Sequence, residues 1–205
     1  NSGHVRLFTK ISDPSLGTYT WTQVGQDING ESASDYSGNA VALNNQGNIV
    51  AIGSLENDGN GSASGHVRVY ENISGTWTQI GQDIDGEAAA DNSGFSVSID
   101  ATGDIIAVGA PYNDGNGSSS GHVRLYTKIS DPILGTYTWT QIGQDIDGES
   151  AGDQSGYSVS LSDDGNTVAI GARHNNGNGL NSGHVRVYEN TGGTWTQVGQ
   201  DIDGE

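Results

Sequence analysis

Apolar residues in this chain alternate with polar or small ones in short bursts, and the bursts recur. Across residues 156–161, Tyr157, Val159 and Leu161 fall on one side, with Ser158 and Ser160 on the other. Across 167–172, Val168 and Ile170 alternate with Thr167, Ala169 and Gly171, and across 184–188, Val185 and Val187 oppose His184, Arg186 and Tyr188. A fourth burst, 194–202, is anchored by Trp195. A period of two is the period of a β-strand. The small residues opposite Val168 and Ile170 predict that this second side is also closely covered. Four strands joined by short turns make an antiparallel meander.

The whole meander repeats. Gly-His-Val-Arg begins at Gly3, Gly65, Gly121 and Gly183, and Trp-Thr-Gln begins at Trp21, Trp77, Trp139 and Trp195. Each Trp stands 44 residues before the next Gly-His-Val-Arg. All variation in length lies between the third and fourth strands, where 9–22 and 127–140 carry six residues that 71–78 and 189–196 lack. Such an insertion is expected at a loop tip outside the packed framework. A four-stranded sheet cannot shield both its faces alone, so copies must stack. Radial stacking gives a β-propeller of four-stranded antiparallel blades; linear stacking into a solenoid is the rival. The expected units are a half blade at 1–28 and blades at 35–85, 91–147 and 153–203. Because the chain opens mid-repeat, it is expected to be a section of a longer array, with edges open to self-association.

Composition agrees with many turns: 33 of the 205 residues are glycine and only 32% are apolar. The net charge of −18 argues against a nucleic-acid backbone or an anionic membrane as partner. No apolar run suggests membrane insertion, and there is no cysteine to form a disulfide.

The residues Gly94-Phe-Ser-Val97, Val108-Gly-Ala-Pro111 and Gly121-His-Val-Arg-Leu-Tyr126 resemble the FG-GAP, or integrin α-like, repeat in its bacterial secreted form. The resemblance implies a seven-bladed propeller on a cell-surface or secreted protein that serves adhesion or ligand binding. It also implies that the loop between the first two strands of a blade can hold calcium through alternating aspartates. Here those loops begin at Asn44, Asp100 and Ser162, and they share only a glycine. They are therefore expected to be turns.

The links between blades are the better cation candidates, because they hold 14 of the 25 acidic residues. Asp83, Asp85, Glu87 and Asp91, and likewise Asp145, Asp147, Glu149 and Asp153, group carboxylates of the kind that Ca2+ takes. The same residues could equally solvate a surface turn and cap its amides. The Gly/Asn loops at 57–65, 113–121 and 175–183 lack the lysine and the helix of a phosphate cradle, and are expected to be flexible connections. The pairs His4/Arg6, His66/Arg68, His122/Arg124 and His184/Arg186 recur in every unit, so a scaffold role is expected, with each Arg facing an acidic link or a neighbouring aromatic. Arg173 and His174 do not recur and are the faint ligand contact. No nucleophile elbow or metallohydrolase motif is present. The chain is therefore expected to be a non-enzymatic extracellular or cell-surface module that binds a protein or glycan. A structural spacer and a hydrolase borrowing the propeller as a platform are the alternatives.

Overall fold

The structure, a computed structural model, describes residues 2–205. Among these residues there is no helix, and so none long and apolar enough to cross a membrane. The first unit is two small ladders. Strand β1 (His4–Val5) pairs with β4 (Ile28–Asn29), and β2 (Phe8–Asp13) with β3 (Thr18–Gln23). Three full antiparallel sheets follow. The first is β5 (Ala40–Leu43), β6 (Ile49–Ser54), β7 (His66–Ile73) and β8 (Thr76–Gln79), with β9 (Ile84–Asp85) pairing back onto β7. The second is β10 (Ser96–Ile99), β11 (Ile105–Ala110), β12 (His122–Asp131) and β13 (Thr136–Gln141), with β14 (Ile146–Asp147) returning to β12. The third is β15 (Ser155–Leu161), β16 (Thr167–Ala172), β17 (His184–Thr191) and β18 (Thr194–Gln197), with β19 (Ile202–Asp203) returning to β17. The outer edge of each sheet is thus one broken strand, and the acidic link begins as the second half of that edge.

The core lies between sheets rather than within them. Ile49, Ala51, Val67, Val69, Ile80 and Ile84 of the first sheet pack against Ile99, Ile106, Val108 and Trp139 of the second. Ala107, Val123, Leu125 and Ile146 of the second then meet Val168, Ile170, Tyr188 and Trp195 of the third. On its other face the first sheet sets Val50, Ile52 and Trp77 against Ile28, Val5 and Leu7 of the first unit. All six residues of β6 are consequently buried, and on the side opposite Val50 and Ile52 the small residues Ala51 and Gly53 follow Ile49. At Gly53 and Gly109 even a methyl group would run into the backbone carbonyl of Gly94 or Gly156 in the next sheet. Sheets stacked face to face in this way are a β-propeller section.

A polar clasp locks each junction at its rim. Gln82 receives the Trp139 amide on Oε1 at 3.0 Å and donates Nε2 to the Trp139 carbonyl at 2.8 Å. The Trp139 indole Nε1 donates to the Ile80 carbonyl at 2.9 Å. Gln26 with Trp77, and Gln144 with Trp195, repeat the pattern.

The six extra residues do not all sit in a tip. Strands β12 and β13 are each two residues longer than β7 and β8, and the turn has four residues where Ser74-Gly75 is a two-residue turn with both φ positive. The insertion extends a hairpin arm, because the β-branched and aromatic residues of 127–140 pair across it through Ile129↔Thr138 and Ser130↔Tyr137.

Candidate functional site: acidic junctions between sheets

The third strand of each sheet turns its polar face toward the preceding unit. On β7 this face carries His66, Arg68 and Tyr70, on β12 His122, Arg124 and Tyr126, and on β17 His184, Arg186 and Tyr188. Extended backbone puts residues i, i+2 and i+4 on one side, so the scaffold pairing expected of these residues follows from register. Each Arg reaches the glutamate of the preceding link: Arg68 lies 3.4 Å from Glu31, Arg124 3.2 Å from Glu87 and Arg186 3.7 Å from Glu149. Arg68 and Arg186 also donate to the carbonyls of Asn29 (2.9 Å) and Asp147 (2.7 Å). The aromatic each of these two covers is its own strand's tyrosine, 5.6 Å away, and not one from the next sheet.

The imidazoles are buried, at 1% exposure for His66, 2% for His122 and 6% for His184. Each faces two carboxylates: one from the preceding link and one from the edge strand of its own sheet. The groups are Glu31/His66/Asp83, Glu87/His122/Asp145 and Glu149/His184/Asp201, with donor atoms within 4.8 Å of one another. These three groups could hold a metal ion. In each, a glutamine fixes the aspartate: Gln79, Gln141 and Gln197 donate to Oδ1 of Asp83, Asp145 and Asp201 at 2.6 Å. The other oxygen, Oδ2, is left facing the imidazole Nδ1 at 3.6–3.8 Å. These separations exceed a hydrogen bond.

Charge in these junctions is unevenly balanced. Burial, with the Arg124 guanidinium adding, pushes the His122 imidazole down to about 4, so at neutral pH it is uncharged. Burial likewise lowers His66. The Asp147 carboxyl is raised, by burial first and then by the charge of Asp145. Glu31, Asp35, Asp58, Asp83 and Asp85 together line a cavity of about 390 Å3 at the first junction.

The structure divides the predicted acidic residues among four places. Asp83 and Asp145 join the imidazole groups of their own sheets, whereas Glu87 and Glu149 serve the next sheet along. Asp85 sits beside His66 at 4.0 Å, and Asp147 is the corresponding residue in β14, where it is paired with His122. Asp91 and Asp153 are buried pins. Asp91 Oδ2 accepts from the Ala88 amide and from Asn113 Nδ2 at 3.1 and 2.9 Å, and Asp153 Oδ2 from the Ser150 amide and Asn175 Nδ2, both at 3.0 Å. The four members of each predicted set are therefore not gathered around one point. Reading the links in isolation left out the histidines, which join each carboxylate pair; the signal available was the Gln that recurs four residues before Asp83, Asp145 and Asp201.

The Gly/Asn loops, expected to be flexible connections, are tied down on both sides. Asn116 donates to the carbonyls of Gly148 and Glu149, Asp114 accepts from the Ser119 amide, and Asn113 accepts from the Gly115 amide. Asx side chains replace backbone partners here, and that gives such a sequence a fixed shape. The loops between first and second strands are turns. Asp100 Oδ1 accepts from the amides of Gly103, Asp104 and Ile105, Asn44 Oδ1 from those of Asn48 and Ile49, and Ser162 Oγ from that of Thr167. Burial opposes ionisation of Asp100, but the Thr102 hydroxyl and these amides outweigh it and hold the carboxyl below its usual value. His174 is half-buried and meets Asn181 at 3.1 Å, and Arg173 covers the Tyr157 ring at 4.0 Å.

Residues 83–126 and 146–188 match the FG-GAP repeat. Both segments of the chain are FG-GAP repeats. Each matched stretch runs from one acidic link to the tyrosine of the next third strand, and so spans the glutamate and histidine of one junction. No curated protein matches the chain. Among solved structures, it is similar to a putative 6-phosphogluconolactonase from Bacteroides uniformis, at 14% identity and a TM-score of 0.60, over 98% of this chain and 49% of that one. It is also similar to a periplasmic gluconolactonase from Pseudomonas aeruginosa, at 14% identity and a TM-score of 0.36, over 95% and 63%. The chain spans about half the length of the Bacteroides protein, and the likeness is one of fold alone.

Proposed function

We propose that these FG-GAP repeats form a non-enzymatic adhesion or ligand-binding module of a larger protein displayed outside the cell, with an extracellular protein or glycan as ligand. The observation that carries this reading is how the polar chemistry is distributed. The same His, Arg, Glu and Asp set stands at three junctions, where its charges bridge one unit to the next. A reaction centre needs one asymmetric constellation. What differs between units is exposed: the hairpin tip with Ile133 and Leu134, and the loop with Arg173 and Leu180. Binding modules place selectivity on variable loops held by a rigid scaffold. The calcium expected on the acidic links belongs to this reading as well, since a divalent cation there would tie one unit's link to the next and stiffen the module.

An array of glycans and extracellular proteins tests the reading. Binding that falls with Leu180→Ser or Ile133→Ser and survives His66→Gln supports it. Turnover of a lactone or glycoside that His174→Ala abolishes replaces it with the hydrolase reading. Self-association in sedimentation without any array ligand replaces it with the spacer reading.

A further inference from the structure

The third junction differs from the other two in how its polar atoms are spent. His184 is 6% exposed, and its Nδ1 is buried without a hydrogen-bond partner. That atom faces Asp201 Oδ2 at 3.6 Å and Glu149 Oε2 at 3.8 Å. The remaining oxygen of each acid is already engaged: Gln197 holds Asp201 Oδ1 at 2.6 Å, and Arg186 faces Glu149 Oε1 at 3.7 Å. Asn175 Nδ2 is 3.4 Å from Glu149 Oε2, a long contact. One nitrogen and two carboxylate oxygens are thus pre-aimed at a common point, with outer partners orienting the acids. That is how proteins set up metal ligands. Leaving a buried imidazole nitrogen unpaired costs free energy unless something fills the gap.

The middle junction has the same residues, and His122 Nδ1 is likewise buried without a hydrogen-bond partner, but Arg124 sits closer to the group. Arg124 Nε lies 3.4 Å from His122 Nε2, a long contact that favours a bare Nε2 and the imidazole proton on Nδ1. Arg124 Nη2 also sits 3.2 Å from Glu87 Oε2, the oxygen that faces His122. A cation entering there would meet a proton and a guanidinium. At the first junction the buried imidazole nitrogen without a partner is His66 Nε2, and not the Nδ1 that faces Asp83 and Asp85.

We propose that Glu149, His184 and Asp201 form a binding site for a borderline divalent transition metal of the Zn2+ class. This deepens the cation part of the function above and changes its metal. Imidazole suits Zn2+, Ni2+ and Cu2+, whereas Ca2+ takes oxygen ligands. The metal ties the link at 145–153 to the third sheet, and its three protein ligands leave further positions for water or an external ligand group. Around the site Glu149, Asp147 and Asp201 oppose the single Arg186, so a dication brings the local charge toward balance. The Tyr188 hydroxyl is raised chiefly by burial; Arg186 opposes this, and Glu149, Asp201 and Asp147 add to it.

The test is calorimetric titration of the full chain with ZnCl2 and with CaCl2 at neutral pH, with melting followed in each and after chelation. The expected result is one Zn2+ equivalent that raises the melting temperature and that equimolar Ca2+ does not displace. His184→Gln abolishes it. Gln197→Ala, which leaves all three ligands in place and only frees Asp201, weakens it about 10–100-fold. His122→Gln and His174→Ala leave it unchanged. A Zn2+ equivalent that persists in His184→Gln, one that His122→Gln removes, or no equivalent at all overturns the assignment. None of these results bears on binding to the glycan or protein array, so the two readings fail separately.

Discussion

Trp21 and Trp139 occupy the same place in the same local sequence, Tyr-Thr-Trp-Thr-Gln, on the same long hairpin. One is 68% exposed and the other 4%. The difference is the neighbour. Trp139 lies in a slot built by Ile80, Gln82 and Ile84 of the sheet before it, while Trp21 belongs to the first unit of this chain. The opposite end shows the reverse. Val185 and Ile202 of the third sheet are 37% and 60% exposed, whereas their counterparts Val123 and Ile146 are 0% and 3%. Local sequence sets which residues can be buried, and stacking decides which are. Stability in such an array resides largely in its interfaces.

Substitution at equivalent positions sharpens this contrast. The largest expected effect is at Trp139. Trp139→Ala empties the second junction and removes the indole bond to Ile80, and should cost roughly 3–5 kcal/mol in denaturant unfolding. Trp21→Ala should change stability by less than about 0.5 kcal/mol. Comparable losses at both would show that the hairpin, and not the junction, uses the ring. Next is the glycine pair. Gly109→Ala presses a methyl group into the Gly156 carbonyl and should cost about 1–3 kcal/mol. Gly171→Ala meets only the movable Ser158 side chain and should cost clearly less, as thermal melting would reveal.

A smaller effect separates two versions of one turn. Asp100 and Asn44 hold their turns with the same acceptor geometry, but only Asp100 titrates. Because the folded Asp100 carboxyl is held below its ordinary value of 3.8, its stabilisation is fully present above that value and is lost as pH falls through the lowered one. Asp100→Asn should therefore cost about 1 kcal/mol at neutral pH, the difference between a charged and a neutral acceptor. It should also flatten the acid limb of the stability profile. An unchanged acid limb would place that titration elsewhere. The smallest effect belongs to the hairpin tip, where Ile133→Ser, at 91% exposure, should leave stability within about 0.5 kcal/mol.

Strand order and the turn at Asp100 were legible in the sequence, because each follows from a period of two or from a glycine at a fixed offset. The covered second face expected at 167–172 is only half-buried at Thr167, Ala169 and Gly171, while the equivalent strand β6 is covered throughout. The pairing of Arg with the acidic links was legible too, since recurrence in every unit marks a scaffold part. The grouping of carboxylates was not. Glu87 lies two residues from Asp85 yet works with His122, across a junction that spacing alone cannot reveal. The broken edge strand was also hidden, since Asp83-Ile-Asp85 reads as a link and only pairing of β9 with β7 makes it part of a sheet. The Gly/Asn loops looked mobile by composition. Their order comes from Asn113 and Asn175 reaching Asp91 and Asp153 some 22 residues away, a contact that composition does not encode.

Hydroxyl-radical footprinting of the intact 205-residue chain, read by mass spectrometry at its four tryptophans, tests most directly whether neighbours bury what local sequence only permits. Rapid oxidation of Trp21 with strong protection of Trp77, Trp139 and Trp195 is the predicted result. Four tryptophans oxidised at one rate would contradict it.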